Sequence, residues 1–233
     1  MALALSASNG TSSVVDVGTD HGILAVELAL TNAFRSVVGV DISSAALSNA
    51  LLLQSRVESY CMNNGLDKTG PRVDLRIGNG LHGLARNDAD IVCIAGVGVN
   101  TMKTILEPID KDALGVQHLV LQPTSCKPGN LMKLYESLHQ DGFKVWGEEI
   151  DRISQRFYIT LVATRNQGHS VETVPGEFLI SHCEQRALFL QYLDHHRSWI
   201  EQDIGANAEE TRDGAVKWMQ QIDSILETDE SSY

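Results

Sequence analysis

The chain has 233 residues, of which 43% are hydrophobic, and a net charge of −12. That length suits one α/β domain with a small appendage, and no apolar run approaches a membrane span. Residues 1–170 carry 14 basic and 17 acidic side chains and residues 171–233 carry 4 and 13. The acidity therefore sits in the tail, which argues against a broad nucleic-acid surface while leaving room for a local basic patch.

The opening Met1 to Thr11 is small and polar, without the basic start and apolar core of a secretory signal. Cys61, Cys93, Cys126 and Cys183 are scattered without a C-x-x-C pair, which suits buried thiols in a reducing, cytoplasmic compartment. Residues 1–12 are expected to be disordered or truncated, and 13–166 to form the main domain. Residues 167–177 read as a linker, 178–227 as a helical hairpin and 228–233 as a frayed tail.

Short strands alternate with amphipathic helices from Ser13 to about Arg165. Val14 to Val17 is a β-branched run that turns through Gly18 and Gly22 into an apolar helix. Ser36 to Val40 is a second strand, stopped by Asp41. A helix follows from Ser43, its N-cap, to about Asn64, with Leu47, Leu51 and Val57 on the apolar face and Gly65 as the stop. Arg72 to Ile77 is the third strand, followed by the turn Gly78-Asn79-Gly80-Leu81. Asp90 to Ile94 reads as a central parallel strand buried on both faces. The loop Ala95 to Asn100 leads to a short helix near Thr101. His118 to Leu121 is the fifth strand, Pro128 to Gln140 a helix, and Phe143 to Ile150 with Phe157 to Thr164 a closing strand pair. The expected fold is α/β, a doubly wound Rossmann-like sheet of seven strands. Beyond the linker, Leu179, Cys183, Ala187, Leu190, Leu193, Ile200 and Ile204 recur at helical spacing, and after Gly205 so do Ala215, Met219, Ile222 and Leu226. Two such stripes suggest an antiparallel, coiled-coil-like hairpin rather than a second globular core.

Strand, tight turn, helix, strand and terminal acid build a pocket for a nucleoside-bearing cofactor. Asp20 stands where a dinucleotide site would hold glycine against a pyrophosphate, and two anions there would repel. S-adenosylmethionine carries an ammonium and a sulfonium and no phosphate, so the turn reads as a methyl-donor site. Asp16, at the carboxyl edge of the first strand, is placed to hold the ammonium directly or through water. Gly18 lets the backbone approach the ligand and Gly22 lets the helix pack closely. Asp41, 25 positions after Asp16, is placed to accept both ribose hydroxyls, with Ile42 beside it.

Four segments together, Asp16-Val-Gly-Thr-Asp-His-Gly22, Ile94-Ala-Gly-Val-Gly98, Leu119-Val-Leu-Gln-Pro123 and Arg156-Phe-Tyr-Ile-Thr-Leu-Val162, resemble the bacterial tRNA (adenine-22-N1)-methyltransferase family. The likeness runs from about Val14 to Leu226. It implies a class I, S-adenosylmethionine-dependent enzyme with tRNA as partner, acting on N1 of an adenine. The chain departs from the family pattern at Asn79, Val99 and Thr124. It also lacks the family's basic N-terminal helix.

Under that resemblance Asn79 and Gly80 would meet the adenine edge, although an Asn-Gly turn is equally at home in a plain loop. Ala95 and Gly96 would lie by the donor, and small residues there would let a flat base approach the methyl carbon. Adenine N1 loses no proton on attack, so alignment and an acidic surrounding would suffice, with Asp20, Gly96 and Asn100 as candidate catalytic residues. His21 could bridge cofactor and substrate or serve as a hydrogen-bonded loop residue. Lys127, Lys133, Arg152 and Arg156 could contact tRNA phosphates or be solvated surface charge. His182-Cys183 and His195-His196 complete no ligand set, so no metal is expected. A binding protein without turnover and a small-molecule methyltransferase remain as other readings. A nicotinamide dehydrogenase is opposed by Asp20 and by the absent G-x-G-x-x-G spacing.

Overall fold

The computed structural model describes residues 11–66, 72–107, 114–165, 174–202 and 209–230. Its strands are β1 (Ser13–Val17), β2 (Ser36–Asp41), β3 (Val73–Ile77), β4 (Ile91–Val97), β5 (His118–Pro123), β6 (Phe143–Ile153) and β7 (Arg156–Arg165). Its helices are α1 (Ile23–Leu30), α2 (Ser44–Asn63), α3 (Val99–Leu106), α4 (Pro128–Gln140), α5 (Glu177–Ser181), α6 (Cys183–Gln202) and α7 (Glu209–Glu230). The strands form one mixed sheet in the order β3-β2-β1-β4-β5-β7-β6. β1 runs parallel to β2 and β4, β2 parallel to β3, and β6 antiparallel to β7. The order reverses between β1 and β4, where open α/β sheets bind ligands at their carboxyl edge.

The chain divides into two compact units, one from residues 1–95 and 101–121 and the other from 96–100 and 122–233. In the first, β1 and β4 are buried along most of their length, which explains their unbroken apolar sequence. Their lower ends are tied by a reciprocal contact. The Asp90 carboxylate accepts from the Ser13 amide at 2.7 Å, and the Ser13 hydroxyl accepts from the Asp90 amide at 3.0 Å. Ser43 caps α2, its Oγ accepting from the Ala46 amide at 3.2 Å. Past the other end of α2, Gly65 takes φ +62.

On the expected apolar face of α2, Leu47 is buried and Val57 half-buried, but Leu51 is not. Ala46, Leu47, Ala50, Gln54 and Cys61 are buried, whereas Leu51 is 53% exposed. The stripe follows small residues because α1 packs closely against α2, and Gln54 is tolerated because its Oε1 accepts from the buried Val73 amide at 3.0 Å.

The second unit gathers α4, β6, β7 and the C-terminal helices around one core. Leu131, Ile150, Ile159, Leu179, Phe189, Tyr192, Leu193, Trp218 and Ile222 belong to the same buried cluster. The expected self-contained hairpin is thereby corrected: α7 packs on α4 and α5 as well as on α6. Leu179, Leu193, Ala215, Met219 and Ile222 of the expected stripe are buried, whereas Ala187 and Leu190 are exposed and Phe189, Tyr192 and Trp218 join the buried face. The Gly205 break, most of the linker and the N-terminal segment lie outside the described residues.

Buried polar bonds pin this core. Trp218 Nε1 donates to the Pro175 carbonyl at 2.7 Å and Tyr192 Oη to the Cys126 carbonyl at 2.6 Å. Glu148 on β6 accepts from the Tyr135 hydroxyl and, at 2.9 Å, from the Gly176 amide at the start of α5. Burial pushes its carboxyl up to about 7. Gly176 itself takes φ +91, and a Cβ there would stand 2.1 Å from Phe189 Cζ. Gly176→Ala is therefore expected to cost about 2–4 kcal/mol. Urea denaturation checks this, with a midpoint falling at unchanged slope.

Candidate functional site

The first unit assembles its site from the carboxyl ends of β1, β2 and β3. β1 delivers Asp16 and then turns sharply, because the amides of Gly18 and Thr19 both donate to the Val40 carbonyl, at 2.8 and 3.0 Å. This pair of hydrogen bonds ties the turn to the end of β2. Asp20 follows with φ 48, a left-handed conformation that aspartate tolerates, and its amide donates to Asp41 Oδ2 at 3.0 Å. Asp41 Oδ1 accepts from the Ser43 amide at 2.8 Å. Both oxygens of Asp41 are thus fixed by backbone, and each keeps a lone pair for a further donor.

Asp16 is only 4% exposed. Its Oδ2 accepts from the Thr19 hydroxyl at 2.7 Å, so the carboxylate braces the turn as well as facing any ligand. Burial pushes Asp16 up to about 6, hydrogen bonds from Thr19 and Ala25 partly offset the rise, and the charge of Asp41 adds to it. A buried acid of this kind gains from a cation beside it.

Gly22 opens α1 with φ +75, and a Cβ at this position would lie 2.7 Å from Ala50 Cβ on α2. It permits the close approach of the two helices. The side chains of Asp20 and His21 are 70% and 60% exposed and pair with each other at 2.7 Å. The loop therefore shows solvent an acid–imidazole pair, and no lysine or arginine occurs between Asp16 and Gly22.

Apolar side chains stand beside these acids. Ile42 is 73% exposed and Ile77 69% exposed, and Ile77 is the register partner of Asp41. Sequence reading placed Ile42 here and missed Ile77. The signal was present in a β-branched residue at a strand end just before Gly78, but only the register brings it beside Asp41. The Gly78 amide donates to the Asp41 carbonyl at 3.0 Å, which fixes the following turn. Asn79 is exposed in that turn, and its side chain has no hydrogen bond among the described residues. Gly80 is buried, and a Cβ there would meet Ile105 Cγ2 at 3.1 Å, so this glycine packs against α3. Ala95 is half-buried on β4.

Gly96 and Asn100 belong to the second unit. The expected loop over Ala95 to Asn100 is shorter than anticipated, since Ala95 to Val97 continue β4 and α3 begins at Val99. Val99, where the resembled family carries glycine, is 5% exposed and fills core space. Gly96 is exposed with φ +74, and Asn100 is exposed in the first turn of α3. The Val97 carbonyl accepts from the Thr124 amide at 3.0 Å, which joins this segment to the turn after β5. Lys127 precedes α4, and Arg152 and Arg156 flank the β6–β7 turn; all three are exposed. Among the described residues no cluster of three or more His, Cys, Asp or Glu could hold a metal ion. Nor is any helix long and apolar enough to cross a membrane.

A family described as "methyltransferase domain" matches residues 2–161. The tRNA (adenine(22)-N(1))-methyltransferase of Bacillus subtilis (strain 168) is 26% identical over 201 residues, spanning 81% of this chain and 78% of that relative. A candidate tRNA (m1A22) methyltransferase from Streptococcus pneumoniae, solved with S-adenosyl-L-methionine, is 25% identical. The match covers 97% of this chain and 98% of that one, with a TM-score of 0.67. TrmK of M. capricolum, solved with S-adenosyl-homocysteine, shares the fold at 18% identity, with 96% of each chain covered and a TM-score of 0.69.

The raised Asp16 carboxyl has a stability consequence. Its folded value of about 6 lies above the ordinary 3.8, so the native state binds the extra proton and loses stability as pH climbs from about 4 to 6. Asp16→Asn removes that penalty. In ligand-free protein the variant is expected to gain on the wild type across this window, by about 1–3 kcal/mol at pH 7. Chemical denaturation at a series of pH values measures the difference.

Proposed function

The chain belongs to the methyltransferase-domain family, and from that premise we propose that it is a cytoplasmic enzyme methylating N1 of an adenine in tRNA with S-adenosylmethionine as donor. The observation that carries the donor assignment is the acidic cradle of the first unit. It combines a buried Asp16 lifted towards neutrality with Asp41 held by two amides, and its loop contains no lysine or arginine. A phosphate would be repelled there, whereas an ammonium would stabilise the ionised Asp16.

In this reading Asp16 would hold the amino end of the donor, assisted by the Thr19 hydroxyl that orients its carboxylate. Asp41 would accept from the ribose hydroxyls. Ile42 and Ile77 would flank the adenine, and the Asn79 amide would read its edge by accepting from the exocyclic amine and donating to a ring nitrogen. When bound, the donor supplies an electrophilic methyl group on a sulfonium. The chain's own task is positioning, because adenine N1 carries a lone pair and releases no proton as it reacts. Gly96 would leave room for a flat acceptor base, and Asp20 and Asn100 would offer polar surroundings for the positive charge of the product.

The tRNA acceptor is supported by the Bacillus subtilis relative and by the exposed cations Lys127, Arg152 and Arg156 in the second unit. The acidity of the last 63 residues, with 13 acidic and 4 basic side chains, favours contact at such local patches over a broad basic face.

The test is incubation with labelled donor and unmodified tRNA, followed by mapping of the modified base by mass spectrometry. One methyl group on an adenine N1 is expected. Donor binding without incorporation into any tRNA would instead make the chain a binding protein. Asp41→Ala should raise the donor Kd by about tenfold or more, since hydrogen bonds to a charged group are lost. Donor affinity should also weaken as pH falls through about 6, where Asp16 takes up a proton.

A further inference from the structure

Within the second unit, Arg152 is held in a way unusual for an exposed arginine. Its Nε donates to the Ser154 carbonyl at 3.2 Å, its Nη1 donates to Gln191 Oε1 at 3.0 Å, and its guanidinium lies 5.3 Å from the Phe157 ring centroid. These partners are neutral oxygens and an aromatic face. Asp151 and Asp194 are its acidic neighbours along β6 and α6, yet among the described residues Arg152 forms no ion pair. The side chain is held by neutral partners and forms no ion pair among the described residues, as suits a group that can meet an anion or an electron-rich ring.

Phe157 extends this platform. The exposed His195 ring stands 5.9 Å from it at a tilt of 45°, and the buried Tyr192 meets it edge-on at 5.6 Å. Tyr192 in turn packs on His196 at 4.5 Å. Lys127 directly follows Cys126, whose carbonyl accepts from the Tyr192 hydroxyl, and burial together with the charges of His195 and Lys127 pushes His196 down to about 4. The Arg152 guanidinium plane, the Phe157 ring and the exposed His195 imidazole thus share one patch. The tip of the β6–β7 turn adds Arg156, which has no ion pair among the described residues, and Ile153, 65% exposed.

The patch is joined to the segment after β4 by direct bonds. Tyr192 Oη donates to the Cys126 carbonyl, and in the same turn the Thr124 amide donates to the Val97 carbonyl. Arg152, Gly96 and Asn100 all belong to the second unit.

We propose that Arg152, Phe157 and His195 form a stacking site for an unpaired base of the RNA substrate, with Arg156 and Lys127 gripping the adjoining phosphates. Unpaired bases are read by aromatic rings and guanidinium planes, and a held arginine beside a histidine supplies both without a wide basic surface. The inference rests on the tRNA reading above and names where the strand outside the reacting base is held.

Fluorescence anisotropy with an unmodified tRNA transcript tests it, using Arg152→Ala, Arg152→Lys and His195→Ala, with donor calorimetry and circular dichroism as controls of folding. Arg152→Ala should raise the RNA Kd about tenfold and lower the salt slope by about one. Arg152→Lys should restore the slope but leave the Kd about fivefold high, because the charge returns without the plane. His195→Ala should weaken binding about fivefold, because one face of the stacking site is lost. Wild-type affinity in Arg152→Ala overturns the site while leaving the tRNA reading intact, and full rescue by Arg152→Lys reduces it to a point-charge contact and overturns stacking. A wild-type protein that binds no RNA overturns both.

Discussion

The Asp41 carboxylate is the joint on which the first unit's site depends. One oxygen receives the Asp20 amide and the other the Ser43 amide, so the turn after β1 and the start of α2 are clamped to the end of β2. Behind it, the Gly18 and Thr19 amides converge on the Val40 carbonyl. The arrangement requires a left-handed Asp20 and leaves an acidic rim whose Asp41 oxygens each keep accepting capacity. In the proposed reading this rim selects the charge of the ligand. A cationic, phosphate-free adenosine derivative relieves the mutual repulsion of Asp16 and Asp41, whereas a pyrophosphate increases it.

The two compact units divide the labour. The first holds every residue assigned to the donor except Gly96. The second holds Gly96 and Asn100 together with the turn after β5, the closing hairpin and the C-terminal helices, and buried polar bonds from Tyr192, Trp218 and Glu148 tie the last three together. The C-terminal helices are thereby part of an aromatic core rather than an appended coiled coil. Their acidity is consistent with that role, because their buried face meets protein and the cations proposed for RNA stand on the β6–β7 turn and before α4.

Much of this architecture was legible from residue order. The Ser43 cap, the Asp41 strand end, the Pro128 helix start and the closing strand pair each follow from local chemistry, and the structure places them within a residue or a few of expectation. The methyltransferase family was legible from loop motifs. What escaped was set by tertiary contact. Leu51 looked like core, but close packing of α1 on α2 buries Ala50 and Gln54 instead. Ala95 to Val97 looked like loop, but sheet pairing carries β4 through them. Counting aliphatic spacings missed Phe189, Tyr192 and Trp218, whose breadth lets one helix face reach several elements at once. In the site, Ile77 and the brace from Thr19 to Asp16 were invisible because register and turn geometry, not sequence distance, bring them in.

The central claim is the sign of the charge that the first unit accepts. Isothermal titration of the protein in parallel with S-adenosylmethionine, S-adenosylhomocysteine and NADH tests it most directly. Saturable heat with the first two and none with NADH is the predicted result. Binding of NADH, or silence with both adenosyl compounds, would contradict the account.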